Sequence, residues 1–81
     1  MSFEEARWVF QDPLNITVQD RIEGGEQRWQ TIGAVYGVLI LLVAHTIREE
    51  DDEGRVVEII RIISARRATP RERRRYENEI G

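Results

Sequence analysis

Seven arginines stand between Arg61 and Tyr76, against one acid, Glu72. Arg66 and Arg67 are adjacent, and Arg71, Arg73, Arg74 and Arg75 follow closely. A guanidinium stays charged and offers phosphate oxygens a planar fork of donors. Grouped in this way, the arginines suit a grip on the phosphates of RNA or of a nucleotide. They equally suit a solvated helix face that pairs with Glu72, Glu77 and Glu79. Arg61 favours the first reading. It lies between Ile60 and Ile62, where an arginine is rarely placed without a purpose or a buried partner. Glu58, three residues earlier, falls on the other face of the same strand. His45 titrates near neutrality and could serve as acid or base in RNA cleavage. It also shares a face with Leu39, Leu41 and Val43, as a satisfied core histidine would. Arg28 reads as a phosphate clamp or as a solvated strand arginine. Tyr76 could bond a phosphate, stack on a base or pack on the sheet. Trp8 and Trp29 read as core.

These residues need elements to hold them. The β-branched run Val56 to Ser64 predicts a central strand buried on both faces. It leads into a helix with its start written in sequence: Thr69 at the cap, Pro70 at the first helical position and Glu72 completing a capping box. Ser2 and Glu5 make a second such box. Phe3, Ala6, Val9 and Phe10 then recur at helical spacing until Asp12-Pro13 ends the helix. Leu14 to Val18 alternates as a half-buried strand, followed by a polar loop from Asp20 to Gly25. Gln27 to Ala34 alternates again, with Trp29, Thr31 and Gly33 on one face and Arg28, Gln30, Ile32 and Ala34 on the other. Tyr36-Gly37 forms a turn. Val38 to Ile47 reads as a central strand. Arg48 to Arg55, with five consecutive acids from Glu49 to Glu53, reads as a solvated hairpin loop. The order is helix, four strands, helix, joined by short turns. It predicts an α+β fold with a small antiparallel sheet of about four strands between an N-terminal and a C-terminal helix.

Composition bounds the function. At 81 residues the chain is one domain, residues 1–81. The absence of cysteine excludes disulfides and thiolate zinc sites, and a single histidine excludes a multi-histidine metal site. The acid run lacks the ligand spacing of a calcium loop. No Walker loop, zinc-protease or serine-hydrolase motif is present. No metal or cofactor is therefore expected. The acidic start Met1-Ser2-Phe3-Glu4-Glu5 is no secretory signal, and the apolar run Ala34 to Ala44 is too short to span a bilayer. A soluble cytoplasmic protein is expected, with no membrane partner. The net charge of −3 conceals a split: residues 1–60 carry −7 and residues 61–76 carry +6. This predicts an anionic partner near the C-terminus. All 12 basic residues are arginine, which either serves phosphate or reflects a compositional bias.

Several stretches resemble the BrnT family of toxins. They are Ser2-Phe3-Glu4-Glu5-Ala6 with Val9-Phe10-Gln11-Asp12-Pro13, Glu26 to Gly33, and Leu42-Val43-Ala44-His45-Thr46. The most specific is Ile60 to Glu77, which contains Ser64-Ala65-Arg66-Arg67-Ala68-Thr69-Pro70-Arg71-Glu72. The resemblance implies a RelE-like fold and a ribonuclease toxin of a type II toxin–antitoxin module. It also implies a metal-independent cut in RNA and neutralisation by a cognate BrnA-type antitoxin. Carried over residue by residue, it implies catalytic roles for His45, Arg61, Arg66 and Tyr76. Arg61 and Arg66 would meet the scissile phosphate, His45 would move a proton, and Tyr76 would stack or assist the leaving group. Arg28, Arg67, Arg71 and Arg74 would bind RNA. The family's pattern usually starts with a strand and helix ahead of Ser-Phe-Glu-Glu-Ala, a segment this sequence lacks. A bare sheet edge, covered by self-association into a dimer, is the expectation. A catalytically impaired RNA- or protein-binding module of the same fold is the alternative function.

Overall fold

The structure is a computed structural model that describes residues 3–80. A short helix α1, Phe3–Trp8, runs into a 3₁₀ turn, Val9–Gln11. Four strands follow: β1 Ile16–Glu23, β2 Glu26–Val35, β3 Leu39–Asp52 and β4 Arg55–Arg67. Helix α2, Pro70–Ile80, closes the chain. The strands form one antiparallel sheet in the order β1-β2-β3-β4. The α+β architecture expected from the order of elements is the one observed.

Each face of the sheet has its own small core. On one face Val35, Leu41 and Val43 pack with Ala6 and Val9, with Phe10, Leu39, Ile62 and Ala65 around them. On the other, Ile32 and Leu42 meet Tyr76 of α2, flanked by Ile16, Ala34 and Ile40. Helix α1 is too short to persist alone, so this burial holds it in place. Ala6, Val9 and Phe10 fall on the expected apolar face; the Ser2 cap lies outside the described residues, as does the Phe3 side chain. Gly33 lets the 3₁₀ turn approach the sheet. A Cβ there would stand 2.8 Å from Val9 Cγ1 and 2.9 Å from the Val9 carbonyl oxygen.

Three sequence expectations are corrected. Val56 to Ser64 is not a central strand: β4 is an edge, and its outer half is exposed. β-branched composition favours a strand but does not count its neighbours. The acid run is not a loop. Glu49 to Asp52 continues β3 and pairs with Arg55 to Glu58, and only Glu53-Gly54 turns, with φ of 52° and 84°. Two left-handed residues make the short turn whose twist suits antiparallel strands. Likewise Asp20 to Glu23 belongs to β1, which reaches the Gly24-Gly25 turn after an irregularity between Gln19 and Ile22. Charged residues suggest a loop because they belong in water, but an arm with both faces in water satisfies that need equally well. The chain measures 40 × 26 × 26 Å along its principal axes.

Candidate nucleic-acid interface

The start of α2 is built as its sequence predicts. The Thr69 hydroxyl accepts a hydrogen bond from the Glu72 N–H at 3.2 Å, and the Glu72 carboxylate accepts one from the Thr69 N–H at 2.9 Å. Glu72 has a second task. Arg66 donates to both its oxygens, Nη1 to Oε1 at 2.7 Å and Nη2 to Oε2 at 2.9 Å. The Arg66 bonds are the largest influence on Glu72. Although burial opposes them, they and the Thr69 bonds bring its pKa down to about 2. The same bonds raise the pKa of Arg66. The end of β4 and the start of α2 are thus locked by one carboxylate.

Around that lock the arginines face solvent. Arg61 and Arg66 lie on the α2 side of β4, and Arg67 on the α1 side. Arg71, Arg74 and Arg75 line a shallow depression on α2 with Asn78 and Glu79. Arg61 is not buried, as its place in the strand suggested; its side chain is 67% exposed and stands 3.5 Å from Glu26. Arg28 lies apart, on β2. Its buried Nε has no hydrogen-bond partner, and Glu23 is 3.8 Å away.

His45 and Tyr76 lie on opposite faces of the sheet. His45 is 1% exposed. Its Nε2 is 2.7 Å from the Thr31 hydroxyl, which is 2.8 Å from the Thr17 hydroxyl; its Nδ1 is 3.3 Å from the Thr46 carbonyl oxygen. An Nδ1–H that donates to this carbonyl leaves Nε2 to accept from Thr31, whose oxygen accepts from Thr17. The Phe10 ring stands edge-on over the imidazole, centroids 5.0 Å apart. Burial lowers the pKa of His45; the Thr46 bond and the charge of Glu58 oppose it without prevailing. Tyr76, 5% exposed, donates its hydroxyl to Asp12. Burial, the Asp12 bond and the Asp12 charge push its pKa up to about 12. Burial works against the Asp12 carboxylate too. Bonds from the Ala34 N–H, the Tyr76 hydroxyl and the Leu14 N–H outweigh it and lower the pKa.

A groove passes unnoticed in the sequence. Arg7, Phe10 and Gln11 face Ile60, Arg61 and Ile62 across it, and an adjoining hollow holds Glu4, Arg7, Trp8 and Gln11. Trp8 is not core, as its size suggested, but 53% exposed. The signal was present: Arg7, Trp8 and Gln11 fall off the helical face that Ala6, Val9 and Phe10 mark. Among the described residues no group of three or more histidine, cysteine or carboxylate side chains is arranged to hold a metal. No helix among them is long and apolar enough to cross a membrane.

A four-stranded antiparallel sheet flanked by two helices, with an arginine-rich strand–helix joint, defines a small α+β protein whose exposed cationic surface suits a polyanion. The family described as ribonuclease toxin, BrnT, of type II toxin–antitoxin system matches residues 1–72. The chain belongs to that family of toxins, whose substrate is RNA and whose partner is an antitoxin. The match takes in Arg61, Arg66, Arg67 and the Thr69 cap, and ends before Arg74 and Tyr76. No curated relative matches the chain.

Proposed function

We propose that this chain is a metal-independent endoribonuclease, neutralised in the cytoplasm by a BrnA-type antitoxin and able to form a homodimer. One observation carries the reading: the arginine cluster is exposed at a joint whose backbone is fixed by the Thr69–Glu72 cap and the Arg66–Glu72 pair. In the reaction the RNA 2′-oxygen forms a bond to the neighbouring phosphorus as the bond to the 5′-oxygen breaks. One proton leaves the 2′-hydroxyl and one reaches the departing oxygen. Negative charge builds on the phosphoryl oxygens, and fixed guanidinium donors stabilise it. Arg61 and Arg66 take that role, with Arg71 and Arg74 on flanking phosphates, Arg28 farther across the same face of the sheet, and Arg67 meeting a flanking phosphate from the other face. With their polar atoms engaged inside the fold, His45 and Tyr76 act here as positioning residues for the groove and for α2. The test is cleavage of a labelled single-stranded RNA by the purified chain in EDTA. Cutting should persist there and fall about 100-fold in Arg61→Ala. Cutting that stops in EDTA, or is undiminished in both Arg61→Ala and Arg66→Ala, overturns the reading.

A second reading, an RNA-binding module without turnover, is favoured by the same burial of His45 and Tyr76, which leaves neither side chain exposed to move a proton in a bound RNA. It predicts a gel shift that weakens steeply with salt, with no cleavage products.

A further inference from the structure

Two aromatic rings near one another stand largely in water. Trp8 ends α1, and Tyr36, 74% exposed, lies in the turn between β2 and β3. With Pro13, Ala34 and Gly37 they line a shallow cleft. Gln11 lines it too, and with Trp8 also borders the neighbouring hollow beside Arg7. Among the described residues the one ring pair in contact is Phe10 and His45, so Trp8 and Tyr36 do not stack on each other. Tyr36 sits on a strained backbone. Both Tyr36 and Gly37 are left-handed, with φ of 56° and 74°, and the Val38 N–H donates to the Val35 carbonyl oxygen at 3.3 Å to close the turn. Such turns favour asparagine or glycine at the first position, and a bulky residue there is an outlier. Strain of this kind gathers where a protein grips a ligand. Neither ring belongs to either core, so packing does not account for them.

The cleft adjoins the cationic surface. Asp12 forms part of its wall and accepts the Tyr76 hydroxyl of α2. Glu72, which Arg66 holds, stands one helical turn before Tyr76, about 6 Å along the axis. Helix α2 therefore leads from the arginine joint to the cleft, with Arg71, Arg73, Arg74 and Arg75 exposed along it. The faces of an unpaired nucleobase stack on aromatic side chains, and its edges take hydrogen bonds. Trp8 and Tyr36 supply the faces, and the Gln11 amide offers both a donor and an acceptor. We propose that the cleft between Trp8 and Tyr36 holds an unpaired base of a single-stranded RNA whose phosphates lie on the α2 arginines. The arginines grip any polyanion, whereas the cleft tells a strand that carries bases from one that does not. The proposal rests on the RNA reading of those arginines.

Fluorescence anisotropy with two probes of equal length tests the cleft. One is a short single-stranded RNA with 2′-O-methyl groups, which attack by the 2′-oxygen cannot cut. The other is the same sugar–phosphate backbone without bases. The unmodified chain should bind the first more tightly than the second. Trp8→Ala and Tyr36→Asn should each weaken binding of the first about tenfold and leave the second unchanged. Arg71→Ala should weaken both alike. Tyr36→Asn should also raise the midpoint of urea unfolding, because asparagine suits the left-handed turn. Weaker RNA binding by a more stable chain separates a lost contact from damage to the fold. Equal affinity of the unmodified chain for the two probes overturns the proposal and leaves the phosphate grip standing. So does an RNA affinity untouched by both aromatic changes, which gives the cleft to a protein partner instead. Failure to bind either probe at low salt sinks the proposed function itself, and the cleft with it.

Discussion

The Tyr76 hydroxyl donates to the Asp12 carboxylate, 64 residues away in sequence. Asp12 also accepts from the Ala34 N–H at 2.9 Å and the Leu14 N–H at 3.0 Å. One side chain therefore ties the end of the 3₁₀ turn, strand β2 and helix α2 together, across the boundary between the two cores. Tyr76→Phe keeps the ring against Ile32 and Leu42 but removes the hydroxyl. Urea unfolding should show a loss of about 2 kcal/mol, typical of a hydrogen bond to a charged group. Asp12→Ala should cost more, because it strands the part-buried Ala34 N–H and the tyrosine hydroxyl together.

The Arg66–Glu72 pair makes the strand–helix joint sensitive to acid. Glu72 has its pKa lowered from 4.5 to about 2, so the fold favours its ionised form. The stability this adds is complete above pH 4.5 and is lost as pH falls toward about 2. In Arg66→Ala the Glu72 carboxyl should titrate nearer 4.5, as followed by carbon-13 NMR, and α2 should fray. A Glu72 titration unmoved by the change would show that the cap alone holds the carboxylate.

His45 adds a separate, milder acid dependence. Burial lowers its pKa below 6.5, so the fold favours the neutral ring, and its contribution is intact above that value and declines as pH falls through the lowered one. His45→Gln should flatten unfolding midpoints compared on either side of pH 6.5 while leaving RNA affinity unchanged. An RNA affinity that collapses in His45→Gln at full stability would return His45 to direct contact with substrate.

Gly33→Ala tests the packing of the 3₁₀ turn. The new methyl meets both the Val9 side chain and its carbonyl oxygen inside contact distance. The turn must lift from β2, and the cost should be about 1–3 kcal/mol in urea unfolding. The companion change Val9→Ala in the Gly33→Ala background should recover part of it only, because the Val9 carbonyl remains in the way.

The parts legible in the sequence were those decided by neighbours along the chain. Thr69, Pro70 and Glu72 specify a helix start within four positions, and the structure forms both bonds of the box. The alternation in Gln27 to Ala34 places Thr31 and Ile32 on opposite faces because side chains in a strand alternate. The arginines and their charge were legible for the same reason. Val56 to Ile60 declared a strand but not an edge, since hydrophobicity reports preference for burial and not whether a neighbour exists. Trp8 misleads on the same ground: its size suggests burial, and it is exposed.

What the chain alone determined was its periods, caps, turns and charge, all properties of residues a few places apart. The tertiary structure decided which charges find partners. It gave Glu72 to Arg66, Asp12 to Tyr76, and Thr31 and Thr46 to His45, and it left Arg67, Arg71 and Arg74 facing water. Those pairings depend on how strands stack sideways and on which face each helix covers, and such distances are absent from a linear pattern. A side chain's chemistry follows from its type, whereas its availability follows from what the fold places against it.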